Sequence, residues 1–86
     1  MIDKVVVVNS KVGLHALPAT FFIRKANEFK SSIWVEKDER RVNAKSLLGV
    51  LSLGINKGTA VTIIADGADE EEAISTLSEL ITNFPE

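Results

Sequence analysis

The chain has 86 residues, a formal net charge of -2, one histidine and no cysteine, a length that suits one domain over residues 1–86. Without cysteine there are no disulfides or thiolate metal sites, and one histidine makes no metal cluster, so no cofactor and no metal are expected and a reducing cytoplasm suits the chain. A pI near 5.4 lacks the concentrated basic charge of nucleic-acid binding, so direct nucleic-acid contact is not expected.

Residues 2–8 are largely β-branched and read as a strand, and the unbroken Val5–Val8 run suggests an interior strand. That run is far shorter than a signal core of about 7 to 15 residues or a span of about 20, so no membrane insertion is expected. Asn9 to Gly13 forms a loop. From Ala16 to Asn27 the residues Ala19, Phe22, Ile23 and Ala26 recur at helical spacing, while Arg24, Lys25 and Glu28 fall largely opposite. Ser32 to Lys37 alternates, with Ile33 and Val35 inward and Trp34 outward. Asp38-Glu39-Arg40 reads as a polar turn, and Arg41 to Ala44 returns as the second strand of a hairpin.

Ser46 is an N-cap candidate for a short helix over residues 47–53 that Gly54 would end. Leu47, Leu48, Val50, Leu51 and Leu53 occupy more than one face of about two turns, so some should stay exposed beside Ser46. After an Asn56-Lys57-Gly58 turn, residues 59–65 read as a strand. Asp69-x-x-Glu72 then resembles a capping box, with Glu70 and Glu71 placed against the dipole. Ala73, Ile74, Leu77, Leu80, Ile81 and Phe84 continue at helical spacing up to Pro85. The order is strand, helix, strand, strand, short helix, strand, helix, which implies an α+β domain with a four-stranded, mainly antiparallel sheet and three helices on one face.

The reactive candidate is His15, because imidazole offers a neutral nucleophilic nitrogen near neutral pH. A lone histidine more often only fills a turn or caps a helix. Here Pro18 suits a first helical turn, which places His15 at a helix N-terminus where a phosphate would face the N–H groups of Ala16 and Leu17 and the positive end of the dipole.

Gly13-Leu14-His15-Ala16-Leu17-Pro18-Ala19 resembles the phosphorylation motif of HPr, the histidine-containing phosphocarrier of the bacterial sugar phosphotransferase system. Lys45-Ser46-Leu47-Leu48-Gly49-Val50-Leu51-Ser52-Leu53-Gly54 resembles that family's regulatory-serine segment, and the likeness runs over nearly the whole chain. One position departs: Leu17 stands where the family motif has arginine. The resemblance implies an open-faced β-sandwich, phosphorylation of His15 on its delta nitrogen, and regulatory phosphorylation of Ser46. It also implies Enzyme I as donor, sugar-specific Enzyme IIA domains as acceptors, docking through Leu47, Leu48 and Leu51, and possible dealings with HPr kinase/phosphorylase and catabolite control protein A. A carrier of this kind is a substrate of its partners rather than an autonomous enzyme.

Two other functions fit parts of the sequence. One is a regulatory paralogue comparable to the Crh proteins, acting through phosphorylated Ser46, although Crh-like proteins lack the histidine. The other is a small-ligand or RNA module of similar element order, for which a single Trp34 and an acidic balance offer little. Lys11, Arg24, Lys25, Lys30 and Lys45 lie in the half that holds both motifs, whereas Asp66 and Asp69 to Glu72 crowd the last third. That asymmetry suits a partner with an acidic docking face.

Overall fold

A computed structural model describes residues 1–8, 16–56 and 58–82, with residues 16–18 described by backbone alone. The loop expected over 9–13, His15 itself, Lys57 of the expected turn, Phe84 and Pro85 lie outside the described residues. The elements are β1 (Ile2–Val7), α1 (Ala16–Asn27), β2 (Ser32–Lys37), β3 (Arg40–Asn43), α2 (Leu47–Ser52), β4 (Ala60–Asp66) and α3 (Glu70–Thr82). The four strands form one sheet in the order β1-β4-β2-β3, and every neighbouring pair is antiparallel.

Period-two alternation divides the sheet into two faces. Val6, Val61, Ile63, Ala65, Ile33 and Val35 turn toward the helices and are buried with Ala19, Phe22 and Ala26 of α1, Val50 of α2, and Ala73, Ile74, Leu77 and Ile81 of α3. The other face bears Val5 and Val7, both exposed, together with Trp34 in register with Ile64. This is the expected open-faced sandwich, and Trp34 takes the outward position that its alternation implied.

β1 corrects the reading of the valine run as an interior strand. It is an edge strand, paired on one side only, with β4. β-branched side chains favour extended backbone whether or not they are covered, so four valines report strand propensity and not sheet position. Asp3 and Lys4 are charged residues of the kind edge strands carry to discourage pairing with other chains.

The β2–β3 hairpin is tighter than expected. Asp38 and Glu39 alone make the turn, at φ 50° and 67°, so Arg40 belongs to β3, in register with Lys37. Two positive φ values are what a type I′ connection demands; here Asp-Glu adopts it without the usual glycine.

The start of α3 also differs. The Asp69–Glu72 capping box does not form, because the Asp69 carboxylate accepts hydrogen bonds from Lys30 N (2.8 Å), Ser31 N (2.9 Å) and the Ser31 hydroxyl. These bonds tie the α1–β2 connection to the β4–α3 connection. They hold the Asp69 carboxyl at about 2, below its ordinary 3.8, with the Ser31 hydroxyl bond the largest cause and the Lys30 amide next. Glu70 takes a capping role instead, accepting from Gly67 N at 3.1 Å and pairing with the N-terminal ammonium at 3.1 Å. Gly67 is required there, since a Cβ would sit 2.6 Å from Ser31 Oγ and 2.7 Å from Ser31 Cα.

Candidate functional site

α1 begins at Ala16, directly after His15 in the chain, as the motif implied. The first amides of a helix have no intrahelical partner, so the N–H groups of Ala16 and Leu17 are the ones this end offers, Pro18 having none. No acidic residue occupies the first turn of α1, and nothing carried by that turn neutralises its positive pole. His15 lies outside the described residues, so the structure places the helix end and not the imidazole. At its other end α1 tightens through Glu28 N to Lys25 O (3.1 Å) and Phe29 N to Ala26 O (3.2 Å).

The second motif is described throughout. Ser46 is the N-cap of α2, with extended backbone and Oγ accepting from Gly49 N at 3.2 Å. The side chain is part-exposed, so its hydroxyl both caps the helix and stands near solvent. Of the α2 leucines, Leu47, Leu48 and Leu51 are exposed, whereas Val50 and Leu53 are buried. The expectation that a greasy two-turn helix would leave some apolar residues uncovered is therefore met. α2 itself carries no charged residue, so its exposed leucines are the main feature it presents.

α2 is seated against α1 by more than apolar packing. Lys45, immediately before the cap, donates through Nζ to Phe29 O at 2.8 Å, while its backbone N–H donates to Asn43 Oδ1 at 2.8 Å. Asn27 Nδ2 bonds Ile23 O at 2.9 Å and lies 3.5 Å from Lys45 O. The serine is thus positioned by the end of the same helix whose start follows His15. Leu17 belongs to α1, one turn before Phe21 and two before Arg24, which is exposed.

Phe21 was not singled out from the sequence, because it falls off the Ala19–Phe22–Ala26 stripe. It is nonetheless exposed, on the helix that packs against α2. The signal was available: a large apolar residue on the polar side of an amphipathic helix. No group of three or more histidine, cysteine or acidic residues able to hold a metal occurs among the described residues. No helix among them is long and apolar enough to cross a membrane.

Comparison with known proteins agrees with this geometry. A family model described as the PTS HPr component phosphorylation site matches residues 2–83. The HPr-like protein Crh of Halalkalibacterium halodurans is 47% identical over 81 residues, covering 94% of this chain and 96% of that protein. The phosphocarrier protein HPr of Neisseria meningitidis serogroup A is 40% identical over 84 residues, covering 98% and 94%. The crystal structure of a phosphocarrier protein HPr from Bacillus anthracis superimposes with a TM-score of 0.93 at 43% identity, over 94% of this chain and 96% of that one.

Proposed function

The chain belongs to the HPr family, a family of phosphocarriers, and from that premise we propose that it carries a phosphoryl group on His15. Enzyme I, charged by phosphoenolpyruvate, is the donor, and sugar-specific Enzyme IIA domains are the acceptors. The neutral ring nitrogen, Nδ1, attacks phosphorus as the bond to the donor breaks, and the second ring nitrogen keeps its proton. Of the groups on this chain, the free amides of Ala16 and Leu17 and the dipole of α1 then face the phosphoryl oxygens. The observation that carries this reading is that α1 starts one residue after the lone histidine, inside the carrier motif.

Partners dock on the apolar surface formed by Leu47, Leu48 and Leu51, with Phe21 contributing from α1. Leu17 modifies the chemistry at its margin. The arginine of the family motif would give the phosphoryl oxygens a charge-assisted hydrogen bond, which leucine cannot supply. Transfer therefore rests on helix-terminal amides and on the partner's own groups.

Ser46 is the regulatory site, modified by HPr kinase/phosphorylase at the expense of ATP. A phosphate on its Oγ would sit beside the docking leucines and weaken partners whose own sites are apolar or acidic. A second reading is a Crh-like regulator that signals through phosphorylated Ser46 to catabolite control protein A. Its support is the 47% identity to a Crh protein and the exposed leucines flanking the serine; the retained His15 favours the carrier.

One experiment separates the two. The chain, His15→Ala and Ser46→Ala are each incubated with Enzyme I and phosphoenolpyruvate, and separately with HPr kinase and ATP, and intact masses are read. The carrier reading expects one phosphate from Enzyme I that is absent in His15→Ala and retained in Ser46→Ala. Modification by the kinase alone would leave the regulatory reading in its place.

A further inference from the structure

The C-terminal end of α2 is held by a part of the chain that neither motif includes. α2 carries no basic residue in its last turn, yet its last carbonyls all have donors. Ser52 Oγ donates to Gly49 O at 2.6 Å, Leu53 N to Val50 O at 3.2 Å and Gly54 N to Leu51 O at 3.2 Å. Those that follow are taken by the hairpin. Arg40 Nη1 donates to Ser52 O at 3.1 Å and Nη2 lies 3.3 Å from Ser52 Oγ, while Lys37 Nζ donates to both Leu53 O and Gly54 O at 3.0 Å.

The arrangement is costly unless α2 is present. Lys37 and Arg40 are directly opposite each other across β2 and β3, a like-charge pair that disfavours the hairpin. They sit on the helix-side face, two residues beyond Val35 and Val42, and the two-residue turn at Asp38 and Glu39 brings them together. The carbonyls at the C-terminal end of α2, to which both cations donate, offset that repulsion.

We propose that Lys37 and Arg40 are positioning residues for the docking face of α2. A six-residue helix is too short to be stable alone. Its N-terminal end is held by Ser46, and the hairpin cations hold the other, so that Leu47, Leu48 and Leu51 present one fixed surface. The docking role rests on the phosphocarrier reading above; the clamp itself does not.

The test is Lys37→Met with Arg40→Met, which keeps the aliphatic stems and removes both donors, beside Lys37→Arg with Arg40→Lys, which exchanges the cations. Amide hydrogen exchange of α2 should accelerate by at least about tenfold in the first variant while β1 and β4 keep their protection, and should be restored in the second. With Enzyme I as phosphoryl donor, KM should rise several-fold in the first variant with kcat unchanged, and return in the second. Unchanged α2 exchange would overturn the clamp, and accelerated exchange with an unchanged KM would overturn its positioning role. If the parent chain accepts no phosphate, the carrier reading fails separately; faster α2 exchange together with displaced methyl resonances of Leu47, Leu48 and Leu51 would still support the positioning, and unmoved methyls would overturn it.

Discussion

Truncating the α2 leucines one at a time should give losses of docking and of stability that run in opposite orders. Leu48 is 80% exposed, Leu47 42% and Leu51 37%. Burying a whole leucine side chain is worth about 1.5 to 3 kcal/mol, so the share of Leu48 still in water leaves about 1.2 to 2.4 kcal/mol to be gained by a partner that covers it. That corresponds to a rise in KM of up to about 8- to 60-fold for Leu48→Ala. The same arithmetic gives about 3- to 6-fold for Leu51→Ala. Folding stability runs the other way. Leu48→Ala removes little that the fold has buried and should change the free energy of unfolding by less than about 0.5 kcal/mol, whereas Leu51→Ala removes a side chain already largely packed and should cost more. The assay pairs initial rates of phosphoryl transfer from Enzyme I at varied carrier concentration with thermal melts of the same samples. A Leu48→Ala variant with unaltered KM, or one whose melting temperature falls further than that of Leu51→Ala, would refute the assignment of this surface to docking.

Leu17→Arg should speed phosphorylation of His15 by at least several-fold, because a charge-assisted hydrogen bond is worth about 1.5 to 3 kcal/mol, and equal transfer kinetics would show that the amides of α1 suffice. The Asp69 carboxyl is held at about 2 against an ordinary 3.8, so its contribution is complete above about pH 4 and is lost as pH falls toward 2. Denaturant unfolding of the chain and of Asp69→Asn at pH 6 and pH 2.5 should therefore differ by clearly more at the first pH than at the second; an equal difference at both would contradict it. Gly67→Ala should destabilise by about 1 to 3 kcal/mol, a fall in melting temperature of several degrees. Ser31→Ala should not rescue it, since the Ser31 Cα would still lie 2.7 Å from the new Cβ.

α1 and α3 were legible because their apolar residues recur at 3.6 and bury where the period puts them: Ala19, Phe22 and Ala26 in one, Ala73, Leu77 and Ile81 in the other. The exposed leucines beside Ser46 were legible for the converse reason, too many apolar residues for one face of a short helix. What escaped was information that no local pattern contains. Strand order decides that β1 is an edge, and a run of valines is equally good in either place. The Asp69 carboxylate had two possible claimants, the α3 amides that local spacing suggests and Ser31, which lies 38 residues away and is brought near only by the fold. Lys37 reads from the sequence only as the end of a strand and Arg40 only as part of a polar turn, because their partners are carbonyls and carbonyls leave no trace in a sequence. The missing arginine at position 17, by contrast, is visible only in the sequence.

The claim on which the account depends is that the phosphoryl group resides on the ring of His15. Heteronuclear NMR of the Enzyme I product reads this directly, through coupling of phosphorus to the imidazole nitrogens. The account predicts a single acid-labile, alkali-stable phosphohistidine with phosphorus coupled to Nδ1 of His15. Phosphorus on Nε2, phosphorus on a serine, or no product at all would contradict it.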